Sequence, residues 1–314
     1  MLGRVLALLL LLAATAAGAQ SNVVRIVVPF AAGGVQDIIA RSLNAELGAA
    51  LGRSVIVENR PGAGGTVGTG SVAKAAADGT TLVLAAASHT IAGSLYAKLA
   101  YDPLADFAGV AHIGSVDYVL MINAGVPASN VRDFISYLKN NPGKLNYATA
   151  GNGSATHLSM AYFCGLAGVE MVHIPFKATG EAVNEVLAGR AHAVIAANIG
   201  ALPYTRDTRV RMLGATGATR SKFLPDLPAV AESLPGYEFD SWIALLAPAA
   251  TPRPLVDQVN AAVAGLLKDP VILGRLDKQG VVPQAMSPEA LDRLLRSDFQ
   301  KMARVVKASG ARID

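Results

Sequence analysis

Apolar and polar positions along this chain follow two rhythms that keep exchanging. Short β-branched runs give way to stretches with apolar residues at helical spacing. The run RIVVPF, from Arg25 to Phe30, predicts a strand. VQDIIARSLNAELGAAL, from Val35, places its apolar residues at the i, i+3, i+4 spacing of a helix face. SVIVEN then reads as a strand, GTVGTGSVAKAAA as a helix entered through glycine, and TTLVLAA as a third strand. Strands alternating with helices predict an α/β architecture, a parallel sheet with helices packed on its faces.

The rhythm restarts at DYVLMINAG, Asp117 to Gly125. VRDFISYLKNNPGK predicts a helix stopped by Asn141-Pro142-Gly143. LNYATAGNGSATHLSMAYFCGLAG reads as strand, glycine loop and helix. The strand EMVHIPF, the helix ATGEAVNEVLAGRA and the strands HAVIAAN and VRMLGAT follow. Two α/β units therefore stand in series. The remainder, TPRPLVDQVNAAVAGLLKDPVILGRLDKQG and SPEALDRLLRSDFQKMARVVKASG, is helical, with Ser287 as N-cap and Pro288 at the first helical position of the last helix. A tail without strands is too small for a domain and is expected to pack back on the first unit. The chain must then cross between units twice, near residues 119–124 and 238–247.

Composition adds export and a packed interior. In MLGRVLALLLLLAATAAGAQ, Arg4 precedes an apolar run, and Ala17 and Ala19 form a small-residue cleavage pattern. Residues 1–19 read as a cleavable secretory signal, too short in its apolar part to span a bilayer. Hydrophobic residues make up 52% of the chain and charged ones 16%, which favours a large core over disorder. The net charge of +4 is dispersed, with no Lys/Arg block, so no nucleic-acid interface is expected, while a weak positive field suits anions. The one cysteine, Cys164, lies in an apolar helical stretch and is expected to be a buried, inert thiol that forms no internal disulfide.

Candidate chemistry concentrates in three loops of one design: Pro29 to Gly34 and Thr149 to His157, which each lead from a strand into a helix, and Ala85 to His89, which follows a strand. A helix start leaves backbone N–H groups unpaired and carries partial positive charge. Glycine lets a ligand approach closely, so such loops make anion cups that need no cationic side chain. Two lobes each bringing one cup to a shared cleft would clamp a small acid. Other chemistry is missing. G-x-S-x-G does not occur, and histidines 89, 112, 157, 173 and 192 lack metal-ligand spacing. NRPGAGGTVGTG, Asn59 to Gly70, is a poor dinucleotide fingerprint, because Asn59-Arg60-Pro61 separates strand from glycines. Binding without catalysis is expected, with no cofactor and no metal. The alternative is an exported enzyme using Ser88 or Ser154 as nucleophile and His89 or His157 as base.

VVPFAAGGVQDIIAR, VIVENRPGAGGTVGT, NPGKLNYATAGNGSATHL, HIPFKATGEAVNEVLAGRA and LPAVAESLPGYEFDSWIALLAPAATP together resemble the Bug family, the periplasmic receptors of tripartite tricarboxylate transporters. The resemblance covers essentially the whole mature chain. It implies a two-lobed, type II Venus-flytrap binding protein of two Rossmann-like domains with a double hinge crossover. Lobe 1 would comprise residues 22–122 plus 243–314, and lobe 2 residues 123–242. It implies a periplasmic monomer that closes on a small carboxylate, partnered by a two-component membrane permease or a sensor kinase. The family pattern implies ligand contacts from Phe30, Ala32, Gly33 and Gly34, with Asp37 nearby, and from Ala87, Ser88 and His89. Lobe 2 would add Gly153, Ser154, Ala155, Thr156, Phe176, Lys177 and Asn198. Gln36 stands where the pattern has a small hydroxyl residue, Ala178 where it has glycine, and His192 where an acidic residue is common.

Overall fold

The computed structural model describes residues 22–309 and 311. The expected signal segment, residues 1–19, lies outside them. The first unit runs β1 (Val23–Val28), α1 (Val35–Leu51), β2 (Ser54–Asn59), α2 (Thr66–Ala73), β3 (Thr81–Ala86) and α3 (Ala87–Leu95). Its three strands are parallel, in the order β2-β1-β3. The second unit follows as β4 (Phe107–Asn123), α4 (Val131–Asn140), β5 (Asn146–Thr149), α5 (Ala155–Ala167), β6 (Val172–Pro175), α6 (Thr179–Leu187), β7 (Ala193–Ala197), α7 (Asn198–Ala201) and β8 (Val210–Ala215). The chain returns through β9 (Asp240–Pro248), α8 (Arg253–Leu266), α9 (Pro270–Lys278), β10 (Val281–Pro283) and α10 (Pro288–Ser309). Ser287 accepts the Ala290 N–H at the start of α10, as its N-cap pattern predicts.

The strands form one hydrogen-bonded network, β2-β1-β3-β9-β4-β7-β5-β6, with β10 and β8 also pairing with β4. β4 explains how two lobes share it. Its first part, to Asp117, pairs antiparallel with β9, and its last part, from Tyr118, pairs with β7 and β8. Partners therefore change between Asp117 and Tyr118, ahead of the expected 119–124. The return falls at Phe239 and Asp240: the Phe239 N–H still bonds Thr216 O, and Asp240 already faces Asp117 in the first sheet.

The tail is not purely helical, because β10 adds three residues to the edge of β4. It also reaches beyond the first unit. Leu291, Leu295, Met302 and Val305 form a buried stripe along α10 at helical spacing. Near its middle, α10 meets α3 where Phe299 fills the space a Cβ of Gly93 would need, at 2.4 Å. At its end, α10 meets α5, with Ala308 O 2.5 Å from the corresponding position at Gly165. Glycine at both crossings lets the helix backs approach closely, so α10 braces one helix from each lobe. Phe134, Phe163, Tyr237 and Phe239 fill the second lobe's interior, as Ile26, Leu47, Leu82 and Ile91 fill the first. Each such buried side chain contributes about 1.5–3 kcal/mol of transfer free energy.

Candidate functional site

The strand-to-helix turns converge between the lobes. A cavity between the lobes is lined from the first lobe by Phe30, Gly34, Val35, Gln36 and Ser88. From the second come Ala150, Ser154, Ala155, Thr156, Ala178, Thr179 and Ala197. Its floor is Val116 and Tyr118 of β4 and Ile243 of β9, the strands that carry the chain across. Among the described residues, no Lys, Arg, His, Asp or Glu lines it.

What lines it instead is the start of four helices. Gly34 is the N-cap of α1, Ala86 of α3, Ser154 of α5 and Ala178 of α6. The N-cap residues of α1, α3 and α6 offer no side-chain cap, although Ser241 Oγ takes the first N–H of α3, that of Ala87. Their N-terminal turns and partial positive charges border a common space. Helix α5 is capped by Ser154, whose Oγ accepts the His157 N–H at 3.2 Å and donates to Gly151 O at 2.7 Å. Thr156 Oγ1 accepts the Ala150 N–H at 2.8 Å, which closes the glycine loop on itself. Burial pushes the Tyr118 phenol up to about 12, so its hydroxyl keeps its proton at the cavity floor.

A second compartment lies beside the first and shares Phe30 and Ala150 with it. Pro61 to Gly65 form one wall, and Gly151, Asn152, Pro175, Phe176 and Lys177 the other. Lys177 is its cation.

The residues implied by the family pattern therefore separate into groups. Phe30, Gly34, Ser88, Ser154, Ala155 and Thr156 come together at the inner cavity, and Phe176 and Lys177 at the outer one. Ala32 and Gly33 are exposed on the loop, Gly33 facing a neighbouring groove with Thr179 and Tyr204. Asp37 stands behind the loop, 3% exposed: its Oδ2 accepts the Gly33 N–H, and its Oδ1 accepts Arg41 Nε and Asn59 Nδ2, all at 2.9 Å. Asn59 also donates to Phe30 O, so one carboxylate and one amide hold both ends of the turn. Burial raises the Asp37 carboxyl, but the bonds from Arg41, Gly33 and Asn59 outweigh it and hold it below the ordinary value.

Ala87 is fully buried and donates its N–H to Ser241 Oγ. His89 points away from the cleft. Its Nε2 donates to Pro103 O, its ring packs among Tyr101, Phe107 and Trp242, and burial holds it near 4, so it stays neutral. Gly153 supports from behind, its N–H donating to His157 Nδ1. Asn198 is fully buried, bonded to Ser221 Oγ and packed under Gly280. Gln36, marked in the sequence as a departure, does line the cavity. Thr179 and the strand residues Val116, Tyr118, Ala197 and Ile243 were not anticipated. The helix begun at Thr179 was legible, but its start was not counted as an anion cup, and the strand residues carry no loop signature.

The serine–histidine pairs named in the sequence are not brought together at the cavity. Ser154 Oγ is used by Gly151 O and the His157 backbone, while the His157 ring stacks on His173 at 4.1 Å between centroids. The His89 ring lies in its aromatic pocket, away from the cavity that Ser88 lines. Cys164 is half-buried, and burial pushes its thiol up to about 12, so it carries no reactive thiolate.

Two α/β lobes joined by two strands, with helix N-termini enclosing a cavity between them, define a solute-binding receptor. The family follows from sequence: the model of the tripartite tricarboxylate transporter family receptor matches residues 39–311, and the chain belongs to that family. Solved structures agree with it. The periplasmic binding protein BugD is 32% identical, covers 92% of this chain and 98% of its own, and superposes with a TM-score of 0.86. Rpa4515 of R. palustris with adipate is 32% identical over 94% of this chain and 100% of that one, TM-score 0.88. MatC of Rhodopseudomonas palustris with bound malate is 33% identical over 90% and 98%, TM-score 0.85.

Proposed function

We propose that this chain is an exported, non-catalytic, monomeric receptor that closes its two lobes over a small carboxylate in the periplasm. The observation that carries this is the convergence of four helix N-termini, two from each lobe, on one cavity lined by no charged side chain. Such a site holds an anion through backbone N–H groups and helix dipoles. Adipate and malate in two similar receptors support the ligand class. The absence of a serine–histidine pair at the cavity supports binding without turnover. We assign residues 22–117 and 240–309 to the first lobe and 118–239 to the second, following the strand partners. Each lobe then offers half the donors, and ligand favours the closed form because only that form engages both halves. Delivery goes to a membrane permease or a sensor kinase, and a cleaved leader at residues 1–19 provides the route out of the cytoplasm.

The test is a thermal-shift and calorimetric screen with adipate, malate and other small di- and tricarboxylates, amino acids and aromatic acids. A bound acid at about 100 times its Kd adds about 2.7 kcal/mol to stability. Mass spectrometry of small molecules released from freshly purified protein identifies the ligand carried from the cell. No shift across the panel, or conversion of a bound acid to product, overturns the reading.

A further inference from the structure

The segment Asn59 to Gly70 is no dinucleotide site, yet its glycines are placed with purpose. Gly62, Ala63, Gly64 and Gly65 all have positive φ, at 144°, 44°, 64° and 99°. Ala63 is the one non-glycine residue with positive φ among the described residues. The turn lies at the outer edge of the cleft and meets the second lobe there. A Cβ on Gly64 would sit 2.2 Å from Asn152 O and 3.1 Å from Gly153 C. Facing it, a Cβ on Gly153 would sit 3.0 Å from the Tyr96 ring and hydroxyl. Tyr96, at the end of α3, places its hydroxyl 2.7 Å from Ala63 O in its own lobe and 3.3 Å from Asn152 O across the cleft.

We propose that the Gly62–Gly65 turn and Tyr96 form a latch that fits the second lobe's Gly151–Gly153 loop only when the cleft is shut, and that Gly64 is glycine to admit the Asn152 carbonyl. This deepens the receptor reading and rests on it. The phenol has one proton for two carbonyls. With the lobes apart it stays on Ala63 O, and with the lobes together it is shared with Asn152 O, so the hydroxyl is satisfied in both states. The contacted loop is the one that leads into α5, so the latch also seats Ser154 to Thr156 against the ligand. At Gly64 backbone meets backbone beside the Tyr96 hydroxyl, and any side chain at position 64 props the cleft open.

The experiment measures lobe closure directly. Dyes are placed on Ala50→Cys in the first lobe and Lys139→Cys in the second, in a Cys164→Ser background, and open and closed populations are counted by single-molecule energy transfer. Gly64→Ala is compared with Gly52→Ala. Gly52 has nearly the same φ, 63°, but nothing within 4 Å of its Cβ position, so it carries the backbone cost without the obstruction. The closed-to-open ratio is expected to fall at least about tenfold in Gly64→Ala relative to Gly52→Ala, and about threefold in Tyr96→Phe, the scale of one shared hydrogen bond. The dissociation rates of adipate and malate, where either binds, should rise by the same factors, with melting temperatures of the two glycine variants alike. A Gly64→Ala protein with the closure ratio of Gly52→Ala overturns the latch. If the wild type binds none of the acid panel, the carboxylate reading fails, while the closure ratios without ligand still decide the latch.

Discussion

Replacing Asp37 by asparagine separates two roles that its position near an anion site leaves open: touching the ligand, or holding the loop that does. The substitution keeps the shape and removes the charge. The introduced amide can still accept from Arg41 Nε and Asn59 Nδ2 through its oxygen, but its nitrogen then faces the Gly33 N–H, donor against donor. A hydrogen bond to a charged acceptor contributes about 1.5–3 kcal/mol. Gly33 is exposed and water can replace its lost partner, which favours the lower end. Arg41 is half exposed, so its ion pair adds under about 1 kcal/mol. A loop loosened by about 1.5 kcal/mol must be re-ordered by the ligand, and affinity falls about tenfold. The alternative has the opposite sign: a carboxylate pressed against a bound acid repels it, and neutralising that carboxylate tightens binding. Isothermal titration with adipate or malate, whichever the wild type binds, reads the difference, with urea unfolding run alongside. Unchanged or stronger binding by Asp37→Asn would refute the loop-holding argument.

Acid should weaken the fold. Burial holds His89, His157 and His173 near 4, with His157 also acting on its stacked neighbour His173, whereas these groups protonate near 6.5 when unfolded. Their contribution is fully present above about pH 6.5 and drains as pH falls toward about 4, since the unfolded chain takes up protons first. Calorimetry across that window should show a falling Tm, and a flat profile contradicts the assignment. Ser154→Ala removes the cap of α5 and should lower stability by about 1 kcal/mol by urea midpoint. Its affinity should drop only a few-fold because the main-chain donors remain; a loss of about a hundredfold would mean that the hydroxyl carries the site.

Much of this architecture was legible in the residues. The periodicities located β1, β2 and β3 and the helices after the first two, because those strands end in glycine or small-residue turns that punctuate the pattern, while the helix after β3 was not read. The start of β4 was not legible. In FAGVAHIGS, glycines interrupt the alternation, and the structure gives the reason: Gly109 makes room for Asp292 and Leu291, and Gly114 for the backbone of Val282, both from the distant tail. β10 was missed because three residues carry no period. The site divided in the same way. Turn glycines and helix starts are local features and pointed to Gly34, Ser88 and Ser154. Whether a residue lines the cavity or stands behind it depends on side-chain direction, which is why Asp37, His89 and Asn198 could not be told apart from Phe30 in the string of letters.

The double membership of β4 has a consequence for how the chain reaches its native form. One strand completes both sheets, and its two halves wait for partners far apart in sequence: β7 and β8 on one side, β9 near the far end on the other. The last part of β4 meets β7 and β8 within one continuous stretch of chain, whereas its first part waits for β9, which comes only after that stretch is complete. The second lobe can therefore form its sheet first, and the first lobe closes only with the late, long-range pairing of β4 and β9.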